Sequence, residues 1–105
     1  MHPSHTASCI ELNLQVNNTL RLERLAFGAK MRAARAVLGL SQTEFALQIG
    51  LTQKSVHRIE QGAVEPKLRT RRMIEQFWRD SGIGFEDLPD GGFRITVQGP
   101  VLFRA

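Results

Sequence analysis

Glycines 39, 50 and 62 constrain this chain most, because each one stops a helix-forming stretch and the first two are followed at once by a side chain that starts another. After Gly39, Ser41 stands three residues before Glu44. That is the spacing of a capping box, in which the hydroxyl accepts from the Glu44 amide and the carboxylate reaches back to the Ser41 amide. A short helix from about Gln42 to Ile49 follows. Gly50 ends it and Thr52 offers the next cap. Residues 53–61 then put Val56 and Ile59 on one side of a further helix and Gln53, Lys54, His57 and Arg58 on the other.

The rest of the chain is read around this punctuation. Met1–Ser8 is polar and aperiodic and reads as a tail. Ile10, Leu12, Leu14 and Val16 alternate with Glu11, Asn13 and Gln15, the period of a half-buried strand. Asn17, Asn18 and Thr19 interrupt that pattern and supply capping side chains for a helical segment, Leu20 to Leu38, in which Gly28 is either a break or a tolerated residue. Pro66 opens a loop or first turn, and Ile74, Phe77 and Trp78 mark the buried stripe of a fourth helix ending at Gly82. Pro89-Asp90-Gly91-Gly92 is turn chemistry, after which Phe93, Ile95 and Val97 alternate with Arg94 and Thr96, and Val101 and Phe103 resume the alternation past Gly99-Pro100. The expected architecture is mostly α, a domain of four to five helices over residues 20–82. It is flanked by a tail and strand at 1–19 and a C-terminal strand extension at 83–105.

Charge and composition narrow the partners. Between Arg21 and Arg79 twelve Lys and Arg face five Asp and Glu, whereas both flanks are mildly acidic. A basic module of this kind is the electrostatic footprint of a protein that meets a polyanion. The single cysteine, Cys9, excludes an internal disulfide, and His2, His5 and His57 form no Cys/His cluster at metal-ligand spacing. No apolar run approaches membrane-helix length and no secretion signal is legible, so a cytoplasmic protein without metal or cofactor is expected. Without a Gly-rich phosphate loop or a nucleophile beside a base, catalysis is not expected either.

Two short helices joined by a glycine-bearing turn, the second presenting polar side chains, form a helix-turn-helix layout. Residues 41–62 resemble the helix-turn-helix of the lambdoid repressor/Cro type, the Xre-like regulators. In register are Arg35 before Leu38-Gly39-Leu40, then Ser41-Gln42, Ala46, Gly50, Thr52-Gln53, Val56, Ile59-Glu60 and Gly62. The resemblance implies a repressor-like domain whose second motif helix enters the major groove of double-stranded DNA. It implies base readout from Gln53, Lys54, Ser55, His57 and Arg58, of which Gln suits adenine N6/N7 and Lys suits guanine N7/O6. Gln42 is implied as a phosphate contact, and Lys67 and Arg69, from the cationic run at 67–72, are the expected cationic ones. Arg35 and Glu60 are implied as a structural ion pair that fixes the helices' mutual orientation.

The expected function is a sequence-specific DNA-binding transcriptional regulator. Its alternative is the antitoxin of a toxin–antitoxin pair, with the flanking segments wrapping a protein partner. A homodimer is expected, because one such domain reads only a half-site. The strands at Ile10–Val16, Phe93–Val97 and Val101–Phe103, with no evident cover of their own, are expected to pair across its two-fold axis.

Overall fold

A computed structural model of the chain describes residues 5–103, with side chains from Leu14 onward. The order is α1 (His5–Leu38), α2 (Gln42–Ile49), α3 (Gln53–Glu60), α4 (Leu68–Asp80), β1 (Ile83–Asp87), β2 (Phe93–Val97) and the short α5 (Gly99–Leu102). Phe27, Met31 and Ala34, spaced four and three apart, give α1 its core-facing stripe. Against it pack Phe45, Ala46 and Ile49 of α2, Val56 and Ile59 of α3, Ile74 and Trp78 of α4, and Ile83 of β1. Trp78 is flanked by the rings of Phe27 and Phe85, at centroid separations of 5.4 and 4.7 Å. The three aromatics therefore tie α1, α4 and the hairpin together.

The local punctuation works as its chemistry dictates. Ser41 caps α2 with the complete box: its hydroxyl accepts from the Glu44 amide at 3.0 Å, and its own amide donates to Glu44 Oε1 at 2.9 Å. Gly50 ends α2 at φ +76°, a left-handed conformation costly for any side chain, and its amide returns to the Ala46 carbonyl. Thr52 caps α3 by accepting from the Ser55 amide at 3.1 Å. The bonds from Ser41, first from its amide and then from its hydroxyl, hold the Glu44 carboxyl below the usual carboxylate range. A depressed carboxyl stabilises the fold above its unfolded pKa, about 4.3, and that contribution is lost as pH falls through the lower folded value. Glu44→Gln is accordingly expected to lower the melting temperature at pH 7 and to converge on wild type by pH 3; a gap of equal size at both pH values counts against this coupling.

Expectations at both ends of the chain are corrected. The strand expected at Ile10–Val16 is helix, part of a continuous α1 that begins at His5 and crosses the boundary expected at residues 19 and 20; of the expected tail, residues 1–4, His2 among them, lie outside the described residues. Extending a formed helix adds a hydrogen bond per residue without a new nucleation cost, and Glu11, Leu12, Leu14 and Gln15 are good helix formers. Thr19, read as an interruption, returns its hydroxyl to the Gln15 carbonyl at 2.9 Å inside the helix. Gly28 does not divide α1. The strand expected at Val101–Phe103 is instead the turn of helix α5, where Pro100 stands in the first helical positions, its missing N–H costing nothing there.

Strand β1 went unread because Gly84, Glu86 and Asp87 are poor strand formers, and pairing overrides their propensity. It runs antiparallel to β2, Ile83 opposite Val97 and Phe85 opposite Ile95. The hairpin lays Ile83, Phe85 and Ile95 against its own core. Lys30 of α1 clamps it through an ion pair to Asp87 at 2.6 Å, lying over the Phe85 and Phe93 rings. Pairing of terminal strands across a two-fold axis is therefore withdrawn as a reading: one strand is absent from 10–16, and the hairpin finds its cover within the chain.

Candidate nucleic-acid interface

The C-terminal end of α3 is held by groups from α1. The carbonyls that close an α-helix have no partner within it and carry partial negative charge. Here Arg24 Nε donates to the Gly62 carbonyl at 3.2 Å, just past α3, and Arg32 Nη1 donates to the Glu60 carbonyl. Between the two arginines in sequence lies Gly28, so close to α3 that a methyl group on it would come within 2.8 Å of the Ile59 carbonyl oxygen and nearer still to that of Glu60. Arg24, Gly28, Arg32 and Arg35 recur every third or fourth residue on one face of α1, a glycine among arginines. That pattern is the available signal for the docking point, which weighing Gly28 only as a break or a tolerated residue does not reach.

Arg35 and Glu60 form the expected pair. Arg35 Nε meets Glu60 Oε2 at 2.6 Å and Nη2 meets Oε1 at 2.8 Å, the two-pronged geometry that matches a guanidinium to a carboxylate. Glu60 is 2% exposed, and Arg35 Nη1 also donates to the Leu40 carbonyl at 2.9 Å, joining the motif's first turn to the pair. The bond to Glu60 holds the Arg35 guanidinium above its ordinary pKa despite the opposing effect of burial.

With Val56, Ile59 and Glu60 buried, the opposite face of α3 points outward, and Gln53, Lys54, His57 and Arg58 are all exposed on it. Ser55 sits further back, half-buried, its hydroxyl accepting from Thr52 at 2.8 Å. Gln42, at the start of α2, lies beside this face: its Oε1 accepts from Gln53 Nε2 at 2.7 Å, and its Nε2 is 3.1 Å from Glu60 Oε1 and 3.4 Å from His57 Nδ1.

The cationic run divides. Lys67 lines a small cleft with Ser55 and Arg58, next to the outward face of α3. Arg69 and Arg72 line a separate groove between α2 and α4, to which α3 contributes nothing. Arg71 covers the Phe27 ring and pairs with Glu75 at 3.6 Å. The structure thus brings Gln42, Gln53, Lys54, His57, Arg58 and Lys67 to one surface and leaves Arg69 off it.

The sequence model of the helix-turn-helix domain family matches residues 26–79, more than half of the chain, and spans α2, α3 and the Arg35–Glu60 pair. The chain belongs to the helix-turn-helix family. In that motif the second helix is the one presented to DNA, and α3 is the second helix of the motif in this chain. No curated protein sequence matches the chain. Among the described residues, no helix is long and apolar enough to cross a membrane.

Proposed function

We propose that this helix-turn-helix protein is a sequence-specific, DNA-binding transcriptional regulator of the Xre-like type that inserts α3 into the major groove. The observation that carries the reading is the division of α3: Val56, Ile59 and Glu60 anchor it while Gln53, Lys54, His57 and Arg58 are exposed on the other side. A helix held rigidly from behind, with amide and cationic side chains at its N-terminal end, matches the donor and acceptor patterns of base edges. The basic surplus between Arg21 and Arg79 supplies the attraction to phosphate that any such reading needs. Gln53 and Lys54 read bases in this proposal, and Lys67, beside Arg58 at the edge of the same surface, takes a phosphate.

Selection of binding sites from a random duplex pool tests the reading as a whole. A chain that acts as a two-fold pair selects an inverted repeat whose half-sites lie about 10 base pairs apart, or a multiple of that. Failure to enrich any sequence overturns the proposal. On the selected site, Gln53→Ala and Lys54→Ala are expected to lose about 1–3 kcal/mol of discrimination at particular base pairs. Lys67→Ala is expected to weaken all sequences alike and to flatten the log-log salt dependence by about 0.9. Titrations giving Gln53→Ala and Lys67→Ala the same sequence-independent loss contradict these roles.

A further inference from the structure

From Leu14 to Glu23 every residue of α1 is exposed, on all sides of the helix. Four of them are large and apolar: Leu14 at 58%, Val16 at 55%, Leu20 at 40% and Leu22 at 62% exposure. Val16, Asn17, Asn18 and Thr19 stand in a row there, all weak helix formers, and a helical segment that packs against nothing is marginal in water. A projecting helix of this composition needs a cover, and among the described residues no other element of the chain supplies it. The face to be covered is marked by spacing. Leu14, Asn18, Arg21 and Leu25 follow at intervals of four, three and four, the period of a two-helix seam, with Leu22 beside them. All five are exposed, on the side of α1 roughly opposite the Phe27, Met31 and Ala34 stripe. In the amino-acid order Ala7 and Glu11 continue the same spacing toward the N-terminus.

We propose that this face of α1 binds the same face of a second copy of the chain, antiparallel, with the two-fold axis at the level of Val16. Charge selects the direction. In that register position 11 of each copy stands opposite position 21 of the other, so an acid faces Arg21 twice across the pair, while Leu14 meets Asn18 and Leu25 meets the small residue at position 7. A parallel pair in register would instead set Arg21 against Arg21, like charges directly opposite. Asn18, the polar member of the seam, opposes sliding to another register. Distance supports the same axis. Gly28, where α1 meets the end of α3, lies twelve residues beyond Val16. At a rise of 1.5 Å per residue that is about 18 Å, which the two-fold doubles to about 36 Å along the helix axis, against about 34–36 Å between half-sites one turn of DNA apart. For this spacing the inference rests on the proposed reading of α3; for its contacts it rests on exposure and charge alone.

The test is sedimentation equilibrium of the full chain without DNA, on wild type, Leu14→Asp, Glu11→Arg, Arg21→Glu and the double variant Glu11→Arg with Arg21→Glu. Melting curves run alongside to establish that each variant is folded. Wild type is expected to be a dimer and Leu14→Asp a folded monomer. Each single charge reversal is expected to weaken association by about tenfold, because both copies of the pair turn repulsive, and the double variant is expected to restore it. That rescue separates antiparallel pairing of two copies from any other cover, since within one helix positions 11 and 21 do not meet. A monomeric wild type overturns the inference, as does a double variant that associates no more tightly than the single ones. Site selection with wild type then reads the spacing: half-sites one turn apart are expected, and half-sites two turns apart overturn the axis at Val16. A dimer that shows the rescue and selects no sequence supports the pairing and overturns instead the proposed function, so the two failures are distinct.

Discussion

Arg35→Ala is expected to cost the domain about 3–5 kcal/mol, read as a lower urea midpoint with an unchanged slope. The magnitude follows from what is left behind. Glu60 is 2% exposed, and without Arg35 its carboxylate keeps one side-chain donor, Gln42 at 3.1 Å, while the Leu40 carbonyl loses the Nη1 bond. An uncompensated buried charge is far costlier than a lost surface pair, and the loss is comparable with the whole stability of a small domain, about 5–15 kcal/mol. Replacing both partners together, Arg35→Met with Glu60→Leu, is expected to recover much of that loss, because no ion is then stranded. A single substitution costing under about 1 kcal/mol would mean that Glu60 finds water or another cation, and would falsify the assignment of the pair as the junction's anchor.

Gly28→Ala is expected to destabilise the protein by about 1–3 kcal/mol, and here the sign is the test. Helix propensity alone argues the other way, since alanine in a helix interior is favoured over glycine by about 1 kcal/mol. The opposing effect is contact with backbone: the added methyl group meets the Ile59 and Glu60 carbonyls at separations real side chains do not tolerate. Backbone at the end of α3 cannot swing aside as a flexible side chain can, so α3 must move off α1. The Arg24 and Arg32 bonds to the carbonyls beyond and at Glu60 weaken as it does so. Thermal melts resolve the outcome, and a stabilised Gly28→Ala contradicts the close approach. The same displacement shifts the Gln53 and Lys54 side chains, so site-specific DNA binding is expected to fall by more than the loss of folded protein explains.

These two expectations share a cause. The helix-turn-helix surface is carried by a helix of eight residues, too short to hold its own shape in water, and its position comes from neighbours. Core contacts through Val56 and Ile59 hold one side; arginines from α1 hold the C-terminal end, where the helix dipole favours cations. The N-terminal end, where base readout is proposed, is held by the Thr52 cap and by Gln42. Rigid support of this kind keeps side chains within the small tolerance that bidentate hydrogen bonds require.

Whatever is satisfied within a few residues is legible from the amino-acid order alone. The capping box at Ser41 and Glu44, the left-handed turn at Gly50 and the Thr52 cap are local bargains between neighbouring groups, and the two short helices follow from them. The outward face of α3 was legible for the same reason, since Val56 and Ile59 leave only one side for Gln53, Lys54, His57 and Arg58. The ion pair of Arg35 and Glu60 entered through family resemblance rather than through spacing. The tertiary structure decided what depends on groups far apart in the chain. Residues 10–16 alternate like a strand, yet with no neighbouring strand to bond they extend α1; Ile83–Asp87 reads poorly as a strand, yet β2 supplies its partner. Arg69 looks like Lys67 in a cationic run, but helical rotation carries it to another groove. Gly28 against Glu60, and Gln42 between Glu60 and Gln53, join residues whose proximity no local pattern encodes, because the free energy that favours each contact exists only after α1, α2 and α3 have packed.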